Sequence, residues 1–185
     1  MDPIIDKLLE RLRAYDYETY NHSLRVADIS VRIASQYGVT YDILQQIRTA
    51  GLLHDIGKLG ICQEILTKPG KLTNIEYLII KRHTTLGYVL LYTLGFPENI
   101  CEVARNHHER PDGTGYNGET SLTLFSKIVS AADCMDVMLN GRHYKAKKTA
   151  VEIFNDICAN SHKQFDPDIA AICIRLFAAG YIEIK

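Results

Sequence analysis

Histidine and aspartate stand side by side at one point of the sequence, in the segment GLLHDIGKLG, as His54 and Asp55. Gly57 and Gly60 follow closely and favour the end of a helix at this point. Adjacent side chains can point the same way only where the backbone turns, so this pair could bind a single metal ion. Imidazole and carboxylate together suit Zn, Mn or Fe. The alternative is a capping aspartate beside a hydrogen-bonded histidine.

Four more histidines have spacings that could serve the same site. Glu18 and His22 are four residues apart on a predicted helix, which puts them on one face, one turn apart. They could donate to a shared metal site or form an exposed local hydrogen bond. His83, in KRHTTLG, is a single helical histidine, and such residues are more often structural. His107 and His108 end a predicted helix, where two neighbouring imidazoles can reach two different ions.

The stretch after this histidine pair, residues 109–120, is predicted to be a loop because it contains three glycines and a proline. Its backbone N–H groups could reach phosphate oxygens. The alternative is a flexible loop that follows two exposed histidines. The sequence favours the functional interpretation because chemically active side chains directly precede the loop.

A carboxylate also falls within an apolar helical segment, VSAADCMDVML. Asp133 is expected there to be paired or metal-bound, because an isolated buried carboxylate is costly. Asp136 lies on nearly the same face, so spacing alone does not choose between the two. A basic run follows, which is either a solvated helix end or an anion clamp: Arg142, His143, Lys145, Lys147 and Lys148.

The elements that must position these side chains are helical, since apolar residues recur at i, i+3, i+4 and i+7. Predicted helices cover about 3–12, 16–37, 40–54, 73–94, 97–108, 122–139, 148–159 and 167–179. A break at 55–74 separates two of them, and no internal repeat or linker is evident. The sequence therefore predicts an all-α fold, with residues 1–185 forming a single domain.

Composition narrows the class of protein. The chain is 46% hydrophobic and 23% charged, which is typical of a globular protein, and its formal net charge is -1. No strong field is present to recruit DNA, RNA or a membrane surface. No apolar run reaches the length of a membrane span, the N-terminus is unlike a signal peptide, and the five cysteines are scattered. We therefore expect a cytoplasmic protein with reduced thiols.

The order of NHSLRVA, LLHDIGK, the histidine at 83 and HHERPDGTGY resembles the HD-GYP subgroup of the HD phosphohydrolase superfamily, over about residues 16–176. The resemblance implies a compact helical HD-domain bundle with a metal cluster in its core. It implies two or three divalent ions, iron or manganese, with zinc or nickel as alternatives. The implied metal ligands are Glu18, His22, His54, Asp55, His83, His107, His108 and Asp133. Among them, Glu18 is the extra ligand associated with a third ion.

The same resemblance implies hydrolysis of cyclic di-GMP to pGpG and, in some members, GMP. The implied catalytic residues are Asp55, which would bridge two ions, and Lys58, which would contact phosphate. Further implied substrate-binding residues are Gly113, Gly115, Tyr116, Arg142 and Lys145. One departure is that Asn117 replaces the proline of the GYP motif, and we expect a looser loop as a result.

The expected partner is a cyclic dinucleotide, with no DNA, RNA or membrane, and a homodimer or a regulatory protein partner stays open. One alternative is an HD hydrolase that acts on another cyclic dinucleotide or on a nucleotide. Another is a catalytically weak receptor that binds a cyclic dinucleotide without turnover. The complete set of eight candidate ligands favours an enzyme over such a receptor.

Overall fold

The structure is a computed structural model that describes residues 2–141 and 147–182. Every regular element in these two ranges is helical, which confirms the predicted all-α fold. The elements are α1 (Pro3–Tyr15), α2 (Tyr17–Tyr37), α3 (Tyr41–Leu53), a 3-10 helix (Ile56–Gly60), α4 (Gln63–Leu66), α5 (Asn74–Lys81), α6 (His83–Thr93), α7 (Glu98–Asn106), α8 (Leu124–Asn140), α9 (Ala150–Asn160) and α10 (Pro167–Ala178).

Several helix ends follow from local chemistry that the sequence shows directly. The Asp2 carboxylate accepts a hydrogen bond from the backbone N–H of Ile4 and caps α1. Gly38 ends α2 with φ +88°, a conformation that favours glycine. Thr73 and Glu76 form the predicted capping box at the start of α5. These local signals fix where the helices that carry the site begin and end.

The core forms where α2 packs against α3 and α8. Ile33, Ile47 and Ile128 are fully buried there, and each such side chain contributes about 1.5–3 kcal/mol to stability. The apolar cluster extends through α1, α7, α9 and α10. This packing brings the inner face of α2, which carries His22, against the inner face of α8, which carries Asp133.

The predicted helix over 73–94 is wrong in one respect, because it is two helices with a break at Arg82. The ring nitrogen Nδ1 of His83 lies 2.6 Å from the carbonyl oxygen of Ile80, and the Thr84 hydroxyl donates to the carbonyl of Lys81. Side chains thus satisfy the carbonyls at the end of α5. The break turns His83 inward, and its cause lies in these contacts rather than in helix propensity.

The predicted break at 55–74 contains the 3-10 helix and the short α4. Within the described ranges, no helix combines the length and the apolar character needed to cross a bilayer. The single-domain boundary at 1–185 and the cytoplasmic location stay predictions.

Candidate metal centre

The carboxylate of Asp55 lies between two pairs of buried imidazoles. Its Oδ2 is 3.4 Å from Nε2 of His54 and 3.9 Å from Nε2 of His22. Its Oδ1 is 3.3 Å from Nε2 of His83 and 3.8 Å from Nε2 of His107. Asp55 directly follows the end of α3, where the chain turns into the 3-10 helix. One carboxylate therefore faces both pairs of rings.

The other nitrogen of three of these rings faces a main-chain carbonyl at a helix end. The distances from Nδ1 are 2.8 Å for His54 to Gly51, 2.6 Å for His83 to Ile80, and 3.1 Å for His107 to both Val103 and Ala104. A carbonyl oxygen only accepts hydrogen bonds, so Nδ1 carries the proton in the neutral ring. The Nε2 lone pairs consequently point towards Asp55, as in metal-ligating histidines.

This arrangement leaves buried acceptors facing one another. Among the residues that the structure describes, none is a hydrogen-bond partner of Nε2 of His54 or of Oδ1 of Asp55. Nε2 of His83 lies 3.3 Å from Nε2 of His107, although both rings carry their proton on the far side. A cation between these atoms would turn an unfavourable contact into a favourable one.

The candidate ligand atoms form two groups. Within each group, all the atoms lie within 4.8 Å of one another. One group is His22, His54 and Asp55, and the other is His83, His107 and His108. The donor set therefore fits divalent cations, in agreement with the predicted metal cluster. The identity of the cations stays a prediction.

Burial sets the charge state of the second group. It lowers the pKa of His83 to about 4 and the pKa of His108 to about 3. Burial, together with the neighbouring His108, holds the pKa of His107 well below its usual range. All three rings are neutral near pH 7, which is the form that binds a metal.

Charges act differently around Asp55. Burial favours its protonated form, but the Lys58 ammonium 2.6 Å from Oδ2 and the neighbouring His54 outweigh burial and hold the Asp55 pKa well below its usual range. Burial lowers the His54 pKa, yet Asp55 outweighs it and the net change is a raised pKa. Asp55 is therefore ionised, and the Lys58 ammonium is its immediate counter-charge.

The two aspartates of α8, between which the sequence leaves the choice of ligand open, lie on opposite sides of His22. Oδ1 of Asp133 lies 3.0 Å from Nε2 of His22, on the side of the cluster. Oδ2 of Asp136 lies 2.6 Å from Nδ1 of the same ring, on the far side. Arg25 also donates to Asp136 through Nε and one terminal nitrogen. Asp133 is therefore placed as a ligand candidate and Asp136 as the group that orients His22.

A cavity of about 540 Å³ opens above the centre. His22, His83 and His108 contribute to its floor, and Glu18 and Lys58 also line it. Glu18 is one helical turn from His22, as the spacing predicts, but it belongs to neither of the two groups of ligand atoms. Its role as a ligand of a third ion stays a prediction.

The Gly-rich loop that follows the histidine pair is tied down by a residue that the sequence analysis did not single out. The carboxylate of Glu109, 1% exposed, accepts hydrogen bonds from the backbone N–H groups of Asn117, Gly118 and Glu119. It also accepts from the Asn117 side chain at 2.9 Å. The expectation of a looser loop overlooks these bonds, and the three amides are occupied by Glu109 rather than free for phosphate.

The loop places Tyr116 against the metal centre. Its ring centroid lies 4.5 Å from that of His108. Lys81 donates to the Tyr116 carbonyl at 2.9 Å and places its ammonium 4.5 Å from the ring centroid. Burial, aided by Tyr77, raises the pKa of Tyr116, so its hydroxyl stays protonated. Tyr116 and Tyr77 both line the cavity.

The other predicted substrate-binding residues differ in position. Gly115 lines a smaller cavity behind Tyr116. Gly113 occupies a turn with φ +75° and faces Thr120, so its place in the loop is conformational. Arg142 and Lys145 lie outside the described residues.

Sequence reasoning missed Arg25, Lys81 and Glu109, and it also did not single out Tyr77, which lines the cavity. Arg25 lines the cavity and binds Asp136. Arg25 is three residues from His22, a spacing that places both on one helix face and could have shown it. The contacts of Lys81 and Glu109 span 35 and 8 residues, and spacing does not indicate them, although Glu109 stands in the HHERPDGTGY segment.

Comparison with known proteins gives the class. The HD domain family pattern matches residues 7–169. A cyclic di-GMP phosphodiesterase of Thermotoga maritima is 39% identical over 176 residues, covering 92% of this chain and 48% of the relative. A 3'3'-cGAMP-specific phosphodiesterase of Vibrio cholerae is 37% identical over 140 residues, covering 74% of this chain and 32% of the relative. The chain thus spans half or less of these relatives.

Solved structures agree on the fold. The HD domain of the Listeria monocytogenes phosphodiesterase PgpH superposes with a TM-score of 0.69 at 20% identity, covering 98% of both chains. An HDG"Y"P protein of Bdellovibrio bacteriovorus gives 0.68 at 18% identity, covering 85% of this chain and 51% of that one. The chain belongs to the HD domain family, and its resemblance to the HD-GYP subgroup is confirmed.

Proposed function

We propose that this chain is a metal-dependent phosphodiesterase that hydrolyses a cyclic dinucleotide, with cyclic di-GMP as the substrate and pGpG as the product, which some members of the subgroup hydrolyse further to GMP. The observation that carries the proposal is the position of Asp55 between two histidine groups beneath a cavity of about 540 Å³. Three relatives at 34–39% identity are named as phosphodiesterases of cyclic di-GMP or 3'3'-cGAMP. These names support a cyclic dinucleotide as the class of substrate.

Two or three divalent ions would be held by His22, His54, Asp55, His83, His107, His108 and Asp133, with Glu18 for a third. When bound, such ions neutralise phosphate charge and make water more acidic. Mixed imidazole and carboxylate donors suit Fe or Mn, and they also accept Zn or Ni.

The protein's own groups bind and orient the substrate in this proposal. Lys58 lines the cavity with its ammonium at the edge of the cluster, where it can donate to a phosphate oxygen and stabilise the charge that develops there. The Tyr116 ring, held against His108, forms one wall. Arg25 lines the cavity beside His22 and offers positive charge to a second phosphate. The predicted clamp by Arg142 and Lys145 stays part of this proposal.

A second substrate has specific support. Three of the relatives from Vibrio cholerae, at 30–37% identity, are named as specific for 3'3'-cGAMP. Cyclic di-GMP and 3'3'-cGAMP differ in one purine base, and both are therefore included in the test. A second copy of the chain or a regulatory protein partner stays a prediction.

The test is turnover by protein purified without air and reloaded with Fe or Mn, with products separated chromatographically. We expect conversion of cyclic di-GMP to pGpG and a loss of roughly 10³-fold in kcat/KM for Asp55→Asn. Asp28→Asn, an exposed aspartate on α2, is the matched control and should keep wild-type activity. Full activity after exhaustive chelation, or in Asp55→Asn, would overturn the proposal. Tight binding without product would identify a receptor instead.

A further inference from the structure

Glu109 performs a task that the sequence assigns to no residue. Its buried carboxylate accepts hydrogen bonds from three consecutive backbone amides and one side-chain amide of the 115–119 segment. Successive N–H groups that converge in this way form an anion-binding nest. The protein fills that nest with its own carboxylate.

Asn117 supplies two of these four donors. Its backbone N–H lies 2.9 Å from Oε1 of Glu109, and its side-chain amide lies 2.9 Å from the same oxygen. A proline at this position has neither donor but fixes its own φ. Asn117 therefore restrains the loop through hydrogen bonds to Glu109. A proline at the same position would restrain the loop through the fixed φ of its ring.

The pairing bears directly on the reaction centre through Tyr116, the residue just before Asn117. The Tyr116 ring rests against His108 and lines the cavity. Gly115 lies so close to Glu109 that a Cβ there would come 2.5 Å from both its Cα and its Oε2. The loop therefore packs closely on Glu109 just before Tyr116 and is hydrogen-bonded to it just after.

We propose that Glu109 and Asn117 are positioning residues that hold Tyr116 in place as a wall of the substrate site. The expected effect on KM rests on the proposed function, whereas the expected effect on the order of the loop does not. If the pairing is broken, Tyr116 occupies its competent position for a smaller fraction of time, and the apparent affinity for substrate falls by that fraction. The set of metal ligands is untouched.

The experiment compares Glu109→Gln with Glu119→Gln. Glu119 is an exposed glutamate of the same loop that contributes only its backbone N–H to the nest, while its side chain accepts from Ser121. The control therefore makes the same chemical change in a side chain that lies outside the nest. In Glu109→Gln, an amide NH2 must face backbone donors. Hydrogen exchange of the peptide 113–120 should become about tenfold faster or more, while metal content and helical circular dichroism stay at wild-type values.

The kinetic readout separates positioning from general instability. We expect KM for the cyclic dinucleotide to rise about tenfold in Glu109→Gln with a smaller change in kcat. Asn117→Gly, which removes the side-chain donor and adds backbone freedom, should also raise KM and speed exchange. Asn117→Pro should keep KM closer to the wild-type value than Asn117→Gly does, because the ring restores rigidity.

Two results would overturn the proposal: unchanged exchange and KM in Glu109→Gln, or identical behaviour of Asn117→Gly and Asn117→Pro. If Glu109→Gln fails to fold, the two Asn117 variants decide the matter. If the wild-type protein turns over no cyclic dinucleotide, the proposed function fails, while the exchange measurement still tests the loop pairing by itself.

Discussion

Asp136 holds His22 from behind: its Oδ2 lies 2.6 Å from Nδ1 of the ring, and Nε2 of the same ring faces Asp133 at 3.0 Å. Arg25 donates two hydrogen bonds to Asp136. Burial favours the protonated carboxyl, but His22 and Arg25 outweigh it, so the Asp136 pKa is lowered. A charged carboxylate therefore fixes the tautomer of His22 that offers Nε2 to a metal.

Asp136→Asn should weaken metal binding without removing a ligand. Loss of a hydrogen-bonding partner behind a ligating histidine lowers affinity by about 10–100-fold. Mn²⁺ titration of metal-free protein by calorimetry measures this. Asp28→Asn on the outer face of α2 serves as the control. Wild-type affinity in Asp136→Asn would show that the carboxylate has no orienting role.

Metal loading should raise the thermal stability of the protein. The rise should be larger for ions that accept imidazole nitrogen ligands than for ions that prefer oxygen. A ligand at 100 times its Kd stabilises the folded state by about 2.7 kcal/mol, which corresponds to roughly 5–10 °C in Tm for a chain of this size. Mn²⁺ should give this shift and a chelator should reverse it. Mg²⁺, which prefers an all-oxygen shell, should give much less. Equal shifts for both ions would contradict a histidine-rich site.

Glu18→Ala should lower the metal content by about one ion per chain without emptying the site, if Glu18 holds a third ion. Elemental analysis of protein purified without air gives the stoichiometry. Glu10→Ala, an exposed glutamate on α1, is the control. An unchanged metal content would remove Glu18 from the ligand set and leave two ions as the expected number.

Gly57→Ala should destabilise the protein and disturb the centre together. A Cβ at Gly57 would overlap the carbonyl oxygen of His83 and the backbone of Gly87, and backbone cannot move aside cheaply. We expect a loss of about 1–3 kcal/mol or more in the free energy of unfolding, measured with denaturant. Gly60→Ala meets only the flexible end of Leu86 and should cost much less. Equal losses would refute the close approach.

Local signals made much of the fold predictable. Asp2, Gly38 and the Thr73–Glu76 capping box act within four residues of themselves, so the sequence shows them directly. The break before His83 was missed because the His83 and Thr84 side chains satisfy the carbonyls of Ile80 and Lys81, and neither helix propensity nor apolar periodicity shows this.

The candidate site shows the same division. The types of candidate ligand were visible in the sequence, whereas the different positions of Asp133 and Asp136 relative to His22 were not, because residues three apart share a helix face. The position of His22 between them supports the proposal that Asp133 is a metal ligand and that Asp136 orients the His22 ring. Glu109 escaped notice because its partners lie eight to ten residues away in an irregular segment.

The anchoring of the rings makes the centre unevenly vulnerable to mutation. His54, His83 and His107 are held by main-chain carbonyls, which no amino-acid replacement can delete. His22 is held by the side chain of Asp136, which a single nucleotide change can alter. Substitutions that change metal affinity without replacing a candidate ligand should therefore concentrate around His22. A laboratory selection could adjust metal affinity most readily from this part of the site.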